Sequence, residues 1–97
     1  MAVVKLVEIS RELNISENKD YKLREVYINP EHVVFMREDH NAKRLLKERR
    51  LPGDLDERQR FTRIVLNKGA SGQELVVVGN PEMTEQKLFS NKQLLRG

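Results

Sequence analysis

Two apolar spacings alternate along this chain, one with the period of a strand and one with that of a helix. Val3, Val4, Leu6, Val7 and Ile9 form a β-branched run broken by Lys5 and Glu8, which predicts a first strand. Ser10 to Asp20 reads as a polar connection, because the side chains of Asn14, Ser16, Asn18 and Asp20 compete for backbone hydrogen bonds and favour turns. Tyr21 to Ile28 predicts a second strand, with Val26 and Ile28 on one side and Leu23 and Tyr27 on the other. Asn29 and Pro30 close it, since proline has no N–H to give to a ladder. Beyond that corner, Val33 to Met36 predicts a third extended run.

From Asn41 the spacing becomes helical. Ala42, Leu45 and Leu46 make one stripe with Asp39 or Asn41 as its N-cap, and a helix of about three turns is expected to end near Leu51, before Pro52 and Gly53. Asp54 to Arg60 is a charged stretch. Alternation returns in Thr62, Ile64 and Leu66 against Phe61, Arg63 and Val65, and again in Leu75 to Val78, so Phe61 to Asn80 predicts a β-hairpin. Its loop is placed at Asn67 to Gln73, with Gly69 and Gly72 as turn residues. Asn80 as a cap, Pro81 at the first helical position and Glu82 in the first turn predict a helix from Asn80 to about Phe89. Asn-Pro-Glu occurs at both Asn29 and Asn80, which is good strand-ending chemistry in each place. Together these elements predict a single α+β domain over residues 1–97: a small, mostly antiparallel sheet of about five strands, one basic helix within a charged insertion at about 41–60, and a C-terminal helix.

Composition narrows the classes. A chain of 97 residues supports one small core, and the absence of cysteine removes disulfide scaffolds, thiolate metal sites and a cysteine nucleophile. No apolar stretch approaches the ~18 residues of a membrane helix. Lys5, Glu8, Arg11 and Glu12 interrupt the position of a secretory h-region, so a cytoplasmic protein is expected, with no membrane partner. The net charge of +3 is modest, so the distribution of charge matters more than its total.

Of the candidate chemistries, most fail on spacing. His32 and His40 stand alone, without the third and fourth ligands a zinc site needs. Glu38 with Asp39, and Asp54 with Asp56 and Glu57, lie among cations, where solvated pairing is their natural role. Lys68-Gly69-Ala70-Ser71-Gly72 lacks the order of a phosphate loop and leads into a strand. What stands out is Lys43, Arg44, Lys47, Arg49 and Arg50, five cations within eight residues, followed by Arg58, Arg60 and Arg63. On a helix Lys43, Lys47 and Arg50 share a face, and these five are the candidate anion-binding residues.

Tyr27-Ile28-Asn29-Pro30-Glu31-His32-Val33, then Thr62-Arg63-Ile64-Val65-Leu66-Asn67-Lys68-Gly69, then Leu75 to Val78 and the capped helix to Leu88 resemble the small FlbD-type proteins of flagellar operons over Val26 to Phe89. The hairpin with its Asn-centred corner is also similar to the last part of LytTR-type DNA-binding domains. The resemblance implies a fold sketch and no functional residue, and the insertion Asn41 to Arg60 departs from both families.

The functional expectation is a non-enzymatic interaction or regulatory protein, without cofactor or metal, acting through its sheet faces and its basic insertion on a protein partner. The alternative is an anion-binding module for RNA, DNA or a nucleotide. No nucleophile, base and orienting group can be placed together, which disfavours an enzyme. Both faces of the hairpin are apolar, Ile64, Leu66, Leu75 and Val77 against Phe61, Val65, Val76 and Val78. If short helices leave the second face bare, Phe61, Val65, Val76 and Val78 form an interface between copies, and a homo-oligomer, most simply a dimer, is expected.

Overall fold

Five strands form one antiparallel sheet in the computed structural model, which describes residues 3–11, 21–53, 55–68 and 71–96. Strands β1 (Val4–Arg11) and β2 (Tyr21–Ile28) pair as one unit, while β3 (Val33–Glu38), β4 (Phe61–Lys68) and β5 (Ser71–Val78) form a meander. Glu8 opposite Val77 joins the two units, giving the order β2-β1-β5-β4-β3. Helix α1 (His40–Lys47) interrupts the meander and helix α2 (Pro81–Arg96) follows it. The fold is a small α+β fold, as the spacing predicts.

Because successive side chains alternate across a strand, the registers sort the apolar residues onto two faces. Leu6, Ile28, Ile64, Leu75 and Val77 are buried together with Leu88 of α2, and Val4, Val26, Val33, Met36, Leu66 and Phe89 pack around them. On the opposite face Phe61 is buried with Ala42 and Leu45 of α1 and with Leu51, and Ile9, Tyr21, Val76 and Val78 join that cluster. The inserted helix thus closes over the second face. Phe61 is 0% exposed, and a fully buried phenylalanine contributes on the order of 1.5–3 kcal/mol.

Local chemistry sets the element ends. Asn29 Oδ1 accepts the Glu31 N–H at 3.0 Å and starts a single 3-10 turn, Pro30–His32. Asp39, not Asn41, caps α1, accepting the Ala42 N–H at 2.9 Å. Asn80 Oδ1 accepts the Met83 N–H at 2.8 Å at the start of α2.

Several sequence expectations are corrected. Helix α1 ends at Lys47 and not near Leu51, because the Arg49 N–H turns back to the Leu46 carbonyl and the Arg50 N–H to the Leu45 carbonyl, each at 3.0 Å. This is a Schellman closure, with Arg49 in the left-handed conformation at φ 60°. Leu51 is thereby released to turn back into the core. Strand β1 runs two residues beyond Ile9, since Ser10 and Arg11 pair with Lys22 and Tyr21. Strand β5 begins at Ser71, so Gly72 is a ladder residue opposite Asn67 and not part of a turn. The glycine with positive φ among the described residues is Gly79, at 123°. Helix α2 extends past Phe89 to Arg96, and its buried face carries Thr84 and Leu88, while Met83 is exposed. Gly69 and most of the polar connection, 12–20, lie outside the described residues.

Candidate anion-binding cleft of the insertion

The insertion begins with a buried charge. Asp39, while capping α1, also accepts from Arg63 at 3.0 Å, and Arg63 lies 3.5 Å from Glu74. Arg63 is therefore bound into the sheet. Lys43 is spent in the same way: its ammonium donates to the backbone carbonyls of Glu57 at 2.8 Å and Gln59 at 2.9 Å. This ties α1 to the loop that returns to β4. Arg60 makes a bidentate pair with Glu38, and Arg58 donates to Asp56. The hydrogen bonds from these guanidinium groups hold both carboxyls below their ordinary values.

The five candidate cations consequently do not form one surface. Lys43 faces the loop carbonyls, and Arg44 is bonded to Asn41 Oδ1 at 2.7 Å. The Arg50 guanidinium lies 5.9 Å from the centre of the Tyr21 ring. Lys47 and Arg49 are exposed and make no ion pair among the described residues. Both line an open cleft of about 780 Å3 between the end of α1 and the loop, with Arg58 on its far wall. Leu46, Leu51, Pro52 and Leu55 supply its apolar lining, and Glu57 its single carboxylate among the described residues.

The apolar lining is the component that the sequence argument missed, while Arg58 was noted there beside the five candidates but not counted among them. A helical wheel groups Lys43 with Lys47 and Arg50, yet the signal for the cleft lies in Leu51, Pro52 and Leu55, whose apolar character is out of place in a solvated charged loop. The interface candidates fare differently from the cations. Phe61, Val76 and Val78 lie in the cluster under α1 and Leu51, so the chain itself covers them, and Val65 is half-buried outside that cluster. No group of three or more metal-binding side chains occurs among the described residues, and no helix of theirs is long and apolar enough to cross a membrane. No protein-family model, curated protein or solved structure matches this chain.

Proposed function

We propose that this chain is a small non-enzymatic binding protein that uses its basic insertion to hold an acidic polypeptide partner. The observation that carries this reading is the cleft lined by Lys47 and Arg49, which make no ion pair among the described residues, together with Leu46, Leu51 and Leu55. A partner that offers carboxylates to the rim and one large apolar side chain to the floor satisfies both parts of it. Charged groups at the rim steer and orient such a partner, while burial of the apolar anchor supplies most of the affinity.

A nucleic acid fits less well. The residues lining the cleft include no aromatic ring on which a base could stack. Lys43, Arg60 and Arg63, which a phosphate backbone would need, are engaged within the protein.

Calorimetric titration with a synthetic peptide of alternating glutamate and leucine tests the reading. Binding is expected, weakening as salt rises and falling at least tenfold in the double variant Lys47→Glu, Arg49→Glu. An undiminished affinity in that variant, or binding of an oligonucleotide in place of the peptide, overturns it.

A further inference from the structure

The sheet has two edges, β2 and β3, and they are differently protected. A dimer that extends the sheet across a two-fold axis must set residues of the same face opposite one another. For β2, the two registers that overlap most of the strand place Arg24 against Arg24 or Glu25 against Glu25, and like charges directly opposite are unfavourable. Edge β3 has one register that escapes this block. Its exposed residues include Val34 at 56% and Phe35 at 44%, and the Arg37 guanidinium lies 4.9 Å from the centre of the Phe35 ring.

The backbone of β3 is also aimed correctly. The Asp39 N–H donates to the Phe61 carbonyl at 2.9 Å, so Asp39, Arg37 and Phe35 turn their polar groups towards β4. By the same alternation Met36 and Glu38 turn theirs outwards, to the unpaired side. The register shift between Val33 and Phe35 takes Val34 out of the regular ladder, so the usable segment starts at Phe35.

We propose that two copies of this chain associate through β3, antiparallel, with the two-fold axis at Met36. This register hydrogen-bonds Met36 to Met36 of the second copy and sets each Phe35 opposite the other copy's Arg37. The guanidinium then has an aromatic face from each chain, a favourable cross-strand arrangement. The neighbouring same-face registers are worse: an axis at Arg37 opposes two arginines, and one at Phe35 relies on the bulged Val34. The association is independent of the cleft, which lies on the insertion.

Phe35→Lys and Phe35→Glu decide the matter, because both remove the same exposed ring and differ in the charge brought to Arg37, that of the same chain in the monomer and that of the second copy as well in the dimer. Sedimentation of the full chain up to millimolar concentration should show the parent approaching twice 11.4 kDa. Phe35→Lys should raise the dissociation constant at least tenfold, and Phe35→Glu should retain the dimer. Amide exchange gives a second readout, since the Met36 N–H should become protected as concentration rises. A parent that remains at 11.4 kDa, or lysine and glutamate variants that behave alike, overturns the proposal.

Discussion

Arg60 holds Glu38 through two hydrogen bonds, Nε to Oε2 at 2.6 Å and Nη2 to Oε1 at 2.7 Å, fastening the last residue of β3 to the residue before β4. Those bonds favour the charged carboxylate and lower its pKa. A carboxyl whose folded value is depressed adds stability that is present above its unfolded value, near 4.5, and is lost as pH falls through the folded one. Glu38→Gln should therefore flatten the acid limb of the stability curve while leaving its slope near neutrality unchanged. Urea midpoints measured at a series of pH values check this, and an acid limb as steep as the parent's would contradict it.

Lys43 and Lys47 sit one turn apart on α1 with opposite duties. Lys43 holds two loop carbonyls and Lys47 none among the described residues. Lys43→Met should cost about 1.5–3 kcal/mol, the range for hydrogen bonds to a charged group, whereas Lys47→Met should stay within about 0.5 kcal/mol. Chemical denaturation of the two single variants gives the comparison, and equal effects would refute the assignment.

Arg49 occupies the left-handed position that ends α1, where glycine is the usual residue. A non-glycine residue there costs roughly 1–2 kcal/mol, offset by the ~0.5–1 kcal/mol of chain entropy that glycine loses on folding. Arg49→Gly should accordingly stabilise the protein by about 0.5–1 kcal/mol and weaken binding of the acidic peptide. A melting temperature that rises while affinity falls is the expected pair of results.

Gly79 joins β5 to α2 at φ 123°, and a Cβ there would meet Thr84 Oγ1 at 3.5 Å, an ordinary contact. Space is available but the conformation is not. Gly79→Ala should destabilise by more than about 1 kcal/mol, and the additional Thr84→Ala change, which enlarges the space, should not restore the loss. Recovery in the double variant would show that crowding, not backbone angle, sets the cost.

Strand alternation made the sheet legible in the sequence, because Ile64, Leu66, Leu75 and Val77 must face one way and Phe61, Val76 and Val78 the other. Asn29 and Asn80 announced their turns through side-chain chemistry that acts within three residues. The end of α1 was less readable, since an arginine in the left-handed conformation carries no local signal, and Pro52 and Gly53 place the stop near Leu51, which instead enters the core from the loop. The basic cluster misled for a related reason. Charge spacing on a helical wheel does not reveal which cations find carbonyls or carboxylates, and Lys43 finds two carbonyls in a segment 14 and 16 residues away. Charge reversal at Lys43, Arg44 and Lys47 together is therefore expected to destabilise, chiefly through the two carbonyl bonds of Lys43.

The pairing of Glu8 with Val77 sets an order of events during synthesis. Strand β1 can pair with β2 as soon as both have left the ribosome, but its other edge waits for β5, which is made only after β3, α1 and β4. Until then the hairpin offers Leu6 and Ile9 no complete core, and pairing between such distant segments is slow because the intervening loop must close first. A β1–β2 pair that forms first thus keeps an unpaired inner edge until β5 is made, and such an edge is a template for wrong pairing.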